Sequence, residues 1–225
     1  MKAMILAAGR GERMGALTAN EPKPLLAVGG VPLIEHHVAR LAASGITDVV
    51  INLSYRGAQI RSRVGNGDRF GLTITYSEEG EPPLETAGGI VHALPWLGAG
   101  TFLLVNSDVY TDLDFAAFRA HTAHRNTLLL VPNPAHNPLG DFGLDEDGSV
   151  TLVEPRLTYG GVAVLDTALF ASLAPGRRPL KPVLDAAIDR GALRGQFYDG
   201  LWIDVGTPER LEEARRAAES GGVER

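Results

Sequence analysis

Short apolar runs alternate with helix-forming segments along residues 1–131, and few architectures accommodate that alternation. The runs fall at residues 2–8, 48–53, 72–76, 101–105 and 127–131, and each reads as a strand. Between them, residues 32–44 place Ile34, Val38, Leu41 and Ala42 on one helical face behind Pro32. Residues 57–64, 86–94 and 115–124 also read as helices, with Thr86 as the expected cap of the second of these. Gly88 and Gly89 are poor helix formers, so something other than propensity must keep them there. Residues 9–23 read as loop. Further on, residues 141–153 read as a hairpin turning at Asp147-Gly148. Strands follow at 158–165 and 201–205, with helices at 182–190 and 208–219. The pattern predicts an α/β fold around a doubly wound, mostly parallel mixed sheet, Rossmann-like in its alternation. Ligands of such sheets bind at the carboxyl ends of the strands. No linker divides the 225 residues, so a single domain is expected.

Composition narrows the chemistry. There is no cysteine, which excludes disulfides, thiolate catalysis and cysteine zinc sites. The formal net charge of -6 argues against a nucleic-acid partner. Lysines are only Lys2, Lys23 and Lys181, so an anion would meet a local cluster of charge. No apolar run approaches the roughly 18 residues of a membrane helix, and the apolar start is too short for a secretory segment. A cytoplasmic protein without a membrane partner is expected.

The first apolar run ends in Leu6-Ala7-Ala8-Gly9-Arg10-Gly11-Glu12-Arg13-Met14, followed by Pro22-Lys23-Pro24-Leu25. Glycines let backbone N–H groups approach a phosphate, and Arg13 and Lys23 add fixed positive charge. A dinucleotide-binding turn should open directly into an apolar helix, whereas a long loop with two prolines follows here. A Walker loop fails for lack of Gly-Lys-Ser/Thr. An ordinary glycine turn with solvated arginines is the plain alternative. The two-part motif resembles the signature of the sugar-1-phosphate nucleotidyltransferase family. The resemblance continues in Leu84-Glu85-Thr86-Ala87-Gly88-Gly89-Ile90, in Val105-Asn106-Ser107-Asp108 and in Trp202-Ile203-Asp204-Val205-Gly206-Thr207-Pro208, and so spans nearly the whole chain. Relatives usually carry Arg-Pro where this chain has Gly15-Ala16, and often Gly in place of Ser107.

The resemblance implies a nucleotidyltransferase fold that joins a nucleoside triphosphate to a sugar 1-phosphate. Residues 1–110 would form the nucleotide-binding half and residues 111–225 the sugar-binding half. Two anions must meet in such a reaction, so catalysis should rest on positioning and charge neutralisation. Asp108 and Asp204 each close an apolar run, where a carboxylate could face the crevice or merely cap a turn or the final helix. The resemblance makes both Mg²⁺ ligands. It makes Arg13, Lys23 and Asp108 catalytic, with Arg13 on the β- and γ-phosphates and Lys23 on the phosphates around the reacting centre. It also points to Ala7, Ala8, Gly9, Gly11, Glu85, Thr86 and Gly88 around the base or sugar, to Asn106 near the nucleoside or sugar, and to Glu154 and Gly161 near the sugar. A surface strand end is the plain reading of Glu154, and a bulge or close packing that of Gly160-Gly161.

His121 and His124 share a helical face, but no third ligand is evident and exposed histidines are expected there. The chain's short form, without room for hexapeptide repeats, resembles most the family members that use UTP on a lactyl-bearing amino-sugar 1-phosphate in cell-wall recycling. GTP with mannose 1-phosphate is the near alternative, followed by glucose 1-phosphate with a thymidylyl or uridylyl donor. A nucleotide-sensing module that has lost turnover is the alternative of a different class.

Overall fold

The apolar runs of the N-terminal half lie side by side, as strands buried on both faces do. The computed structural model describes residues 1–122 and 126–221. The chain forms β1 (Lys2–Leu6), β2 (Ala27–Val28), β3 (Val31–Pro32), α1 (Leu33–Ala43), β4 (Asp48–Leu53), α2 (Gly57–Val64), β5 (Thr73–Glu78), α3 (Glu85–Leu97), β6 (Thr101–Asn106) and β7 (Val109–Thr111). It continues through α4 (Phe115–His121), β8 (Asn126–Val131), β9 (Phe142–Leu144), β10 (Val150–Thr151), β11 (Arg156–Asp166), α5 (Lys181–Asp189), β12 (Leu193–Phe197), β13 (Trp202–Asp204) and α6 (Pro208–Ser220).

Nine strands make the main sheet, in the order β10-β9-β11-β6-β1-β4-β5, with β8 joined to β11 and β12. Strands β6, β1, β4 and β5 run parallel, β11 is antiparallel to β6 and β8, and β12 is parallel to β8. The fold is therefore α/β with a mixed, largely parallel sheet. Side-chain alternation along a strand explains the two helical layers. Ala3 and Ile5 of β1 pack with Ile34 and Val38 of α1 and Ile60 of α2, while Met4 faces Ala87 and Ile90 of α3. Leu103 and Val105 join the first layer, and Phe102 and Leu104 the second. Among the described residues no helix is long and apolar enough to cross a membrane.

A third cluster positions the site. Met14 from the glycine loop packs with Leu26, Val28, Tyr110 and Val205, and with Leu211 and Ala214 of α6. Met14 is 1% exposed, so the loop carrying Arg13 is held down by a core residue. That loop is not irregular throughout, as the sequence suggests. It folds into short 3-10 turns at Glu12–Thr18 and Lys23–Leu25, the first entered through Gly11 at φ 66°.

Several elements differ from what the sequence suggests. Thr86 caps nothing: α3 begins one residue earlier and runs to Leu97 with Pro95 inside it. Its first amides are satisfied instead by a distant carbonyl, Arg178 O, which accepts from Ala87 N at 3.0 Å and Gly88 N at 3.1 Å. The strand around 201–205 does not join the main sheet; β13 pairs antiparallel with β7, a strand too short to read from the sequence. Strand β12 has no apolar signature, since Arg194, Gly195 and Gln196 interrupt it. His121 ends α4 within hydrogen-bonding reach of Ala117 O, and His124 lies outside the described residues.

Glu35 of α1 ties the end of α2 and the segment after it to this frame. It accepts from Arg63 Nε at 2.5 Å and Arg69 Nη2 at 2.6 Å. Burial alone would raise its carboxyl, but the two guanidinium hydrogen bonds and their charges carry it below its ordinary value of 4.5. A lowered folded-state pKa stabilises above the unfolded value and is lost as pH falls through the folded one. Glu35→Gln is expected to cost about 1 kcal/mol at pH 7, because both arginines are half exposed. The difference from wild type should vanish in urea melts well below pH 4.5.

Candidate active site

Strands β1 and β6 end together, and Ser107 N donates to Leu6 O at 3.2 Å across their tips. The chain beyond β1 and the loop beyond β6 thereby form one rim. On one side lies a cavity of about 300 Å³, lined by Leu6, Ala8, Gly9, Lys23, Glu85, Thr86, Asn106 and Asp108 among others. On the other lies a cleft of about 350 Å³, lined by Arg13, Asn106, Asp108, His136, Tyr159, Gly161, Trp202 and Asp204 among others. Asn106 and Asp108 border both. A reaction between two bound molecules would have to pass that shared edge.

The small β7–β13 ribbon brings the two aspartates together. Asp204 stands opposite Val109, and Val205 N donates to Asp108 O at 2.8 Å. Each carboxylate already has a cationic partner. Lys23 forms an ion pair with Asp108, their side chains only 12% and 25% exposed. Arg210 Nη1 donates to Asp204 Oδ2 at 2.6 Å, with His136 Nε2 at 3.3 Å from the same oxygen. Arg13 lines the cleft beside them and makes no hydrogen bond or ion pair among the described residues. Among those residues no three His, Asp or Glu side chains converge as a ready-made metal cage.

Other expected contacts divide. Glu85 and Thr86 reach the first cavity, where Glu85 holds a left-handed φ of 60° and pairs with Arg177 at 2.8 Å. Gly88 does not reach it. A Cβ there would lie 2.4 Å from Gly176 O, so the glycine is required by the backbone of another segment packed against α3. Gly11 sits behind Lys23, and a Cβ on it would lie 3.1 Å from the Lys23 Cβ. The Ala7 amide is engaged by Asn52 Oδ1 at 2.8 Å. Gly161, at φ 72°, lies in the cleft, and a Cβ there would strike Asn106 Nδ2 at 2.8 Å. Glu154 is exposed in the turn between β10 and β11 and lines neither cavity.

Two neighbouring groups show perturbed protonation. Burial raises the Tyr159 phenol above its ordinary 10.0, and its hydroxyl has no hydrogen-bond partner among the described residues. Burial first, and the neighbouring His36 second, lower His37 to about 4, so it is neutral at pH 7. His37 lines neither cavity.

Sequence reasoning missed a positioning network. Asn52, 3% exposed, donates from Nδ2 to Glu79 Oε1 at 2.6 Å, and Glu79 Oε2 accepts from Leu84 N at 2.8 Å. Ala7 and the residue preceding α3 are thus bridged by two polar side chains, Asn52 buried and Glu79 half-buried. The available signal was a lone asparagine inside the apolar run 49–53. His136 and Arg210 carried no such signal, because only the fold turns them toward Asp204. If the first cavity takes a nucleotide, Glu79→Ala is expected to raise its KM about 10-fold with kcat within about threefold, since it loosens a wall without touching the reacting centre. Steady-state kinetics with the nucleotide varied would check this.

The family model for Nucleotidyl transferase matches residues 2–154. The chain belongs to the nucleotidyl transferase family. Among curated relatives of this nucleotidyltransferase, the N-acetylmuramate alpha-1-phosphate uridylyltransferase of Neisseria meningitidis is 48% identical over 97% of this chain and 98% of its own. The protein of the same name from Caulobacter vibrioides is 32% identical over 97% of each chain. The mannose-1-phosphate guanyltransferase of Schizosaccharomyces pombe is 32% identical over 93% of this chain but 62% of its own length. Among solved structures, a Bacillus anthracis protein described as a glucose-1-phosphate thymidylyltransferase superposes with a TM-score of 0.86 at 23% identity, covering 97% of this chain and 95% of that one. At that identity the superposition speaks for the fold.

Proposed function

We propose that this chain transfers the uridylyl group of UTP to N-acetylmuramate α-1-phosphate, giving the UDP-sugar and pyrophosphate. The observation that carries the reaction class is the shared edge of the two cavities, with Asp108 on it and Asp204 beside it. The substrate choice is supported by the Neisseria relative, similar over almost the full length of both chains. In this reading the nucleoside occupies the cavity bounded by Ala8, Gly9, Glu85 and Thr86. Gly161 and Asn106 border the sugar.

Arg13 and Lys23 neutralise the triphosphate, and their grip on the departing pyrophosphate lowers the barrier most where charge develops. A phosphate oxygen of the sugar substrate attacks the α-phosphorus, and the bond to the bridging oxygen of the β-phosphate breaks. The leaving group departs as pyrophosphate, so no residue need form a covalent intermediate.

Asp108 and Asp204 would hold Mg²⁺. A two-carboxylate donor set suits an ion that takes its remaining oxygens from phosphates and water. Bound there, Mg²⁺ supplies charge neutralisation between the two anionic substrates. Lys23 and Arg210 keep the carboxylates paired until the ion and nucleotide arrive.

Pyrophosphate release from four nucleoside triphosphates against N-acetylmuramate, mannose and glucose 1-phosphates tests the assignment. UTP with N-acetylmuramate α-1-phosphate is expected to lead in kcat/KM by at least about 10-fold, and chelation of Mg²⁺ to abolish turnover. Turnover confined to GTP and mannose 1-phosphate would overturn the substrate. Nucleotide binding with no pyrophosphate release from any pair would overturn the enzymatic reading, and chelator-resistant turnover the metal.

A further inference from the structure

Away from that edge, a separate cavity of about 630 Å³ opens between α5 and the extended segment preceding it. It shares no lining residue with the two cavities of the active site. Leu169, Leu173, Val183 and Ala186 give it apolar walls, Arg178 and Arg190 stand at its margin, and the one carboxylate in its lining, Asp166, accepts the Ala168 amide. The Arg178 side chain donates from Nε to Ala174 O at 2.8 Å, leaving its terminal N–H groups free among the described residues. The Arg190 side chain has no hydrogen bond or ion pair among them. Guanidinium forks bind carboxylate, sulfonate or phosphate oxygens, and the volume falls within the roughly 300–1,000 Å³ of small-molecule sites. The matching ligand is an apolar body carrying one acidic group.

This cavity is wired to the first. The backbone of Arg178 is stitched into the start of α3: its N–H donates to Leu84 O at 2.9 Å, and its carbonyl takes the Ala87 and Gly88 amides. Gly88 has no side chain to hold this segment away, as Gly176 O occupies the space a Cβ would need. Arg177, the preceding residue, faces the opposite way, lining the nucleotide cavity and pairing with Glu85. Glu85 holds its φ of 60° only because its surroundings impose it. Consecutive arginines therefore serve two cavities through one short stretch of backbone.

We infer that the cavity beside α5 is an effector site for a small amphipathic anion, and that filling it tightens nucleotide binding. The inference rests on the first cavity being the nucleotide site. Ordering residues 173–180 in advance removes part of the entropy that nucleotide binding must otherwise overcome.

Naphthalene-2-sulfonate serves as the probe, titrated calorimetrically into the full chain with and without saturating UTP. One equivalent is expected to bind. UTP should tighten it at least about fivefold, and the probe should tighten UTP by the same factor, as linkage requires. Ala186→Phe fills the cavity, and Arg190→Gln removes an exposed charge with little demand on folding. Both should weaken the probe at least about 10-fold and leave UTP binding alone unchanged. Wild-type probe affinity in both variants, no probe binding, or UTP affinity indifferent to the probe would overturn the inference. Absence of UTP binding in the wild type is a distinct result, which would remove the nucleotide reading and the coupling with it.

Discussion

Replacing Asp108 with asparagine is expected to lower kcat by at least about 100-fold without unfolding the protein. The fold should survive because the backbone carbonyl of Asp108, not its carboxylate, receives the Val205 amide. Asparagine also preserves the side chain's size beside Lys23. What disappears is the negative charge at the edge common to both cavities. If Asp108 anchors the divalent ion there, the loss falls on a charge needed as the reaction proceeds, so kcat and kcat/KM drop together. Pyrophosphate release paired with a thermal melt would measure both effects. A variant within about threefold of wild-type kcat would remove Asp108 from the chemistry.

Lys23→Ala should have an effect of similar size on turnover, at least about 100-fold, and a second signature that Asp108→Asn cannot share. Lys23 is the internal partner of the Asp108 carboxylate, and the pair is largely shielded from solvent. If Lys23 meets the nucleotide phosphates as proposed, its removal takes a positive charge from them, and it also frees the Asp108 carboxylate. Divalent-ion affinity measured without nucleotide, for example by Mn²⁺ resonance, should therefore rise while turnover falls. Lys23→Arg restores charge but not the compact ammonium geometry, so partial recovery is expected. Unchanged ion affinity in Lys23→Ala would mean that the ion pair does not occupy the metal position.

Much of this arrangement was legible in the residues themselves. The parallel strands β1, β4 and β6 announce themselves through uninterrupted apolar runs, because both of their faces are buried. Asp108 and Asp204 close such runs, and the loop motif points to Arg13 and Lys23, which line the two cavities. Less legible was everything decided by distant chain. Gly88 reads like part of a ligand motif, but the space beside it is taken by Gly176 O, nearly ninety positions away by residue number. Glu154 follows a hairpin as the family pattern suggests, but that turn projects into solvent. Arg210 sits on the polar-looking start of α6, and nothing in a helical pattern says that this turn overlies Asp204. Asn52 and Glu79 belong to different strands' ends, and their meeting depends on the parallel pairing of β4 with β5.

The packing of Met14 against Leu211 and Ala214 carries a consequence for the order in which the molecule is built. The strands that frame the first cavity emerge early in synthesis and have their own partners. The floor beneath the arginine-bearing turn comes from α6, which is made after all of those strands. A nascent chain halted before α6 would own every strand of its main sheet and still lack a firm seat for Arg13. A firm seat for that turn thus waits on a segment made nearly two hundred residues after it.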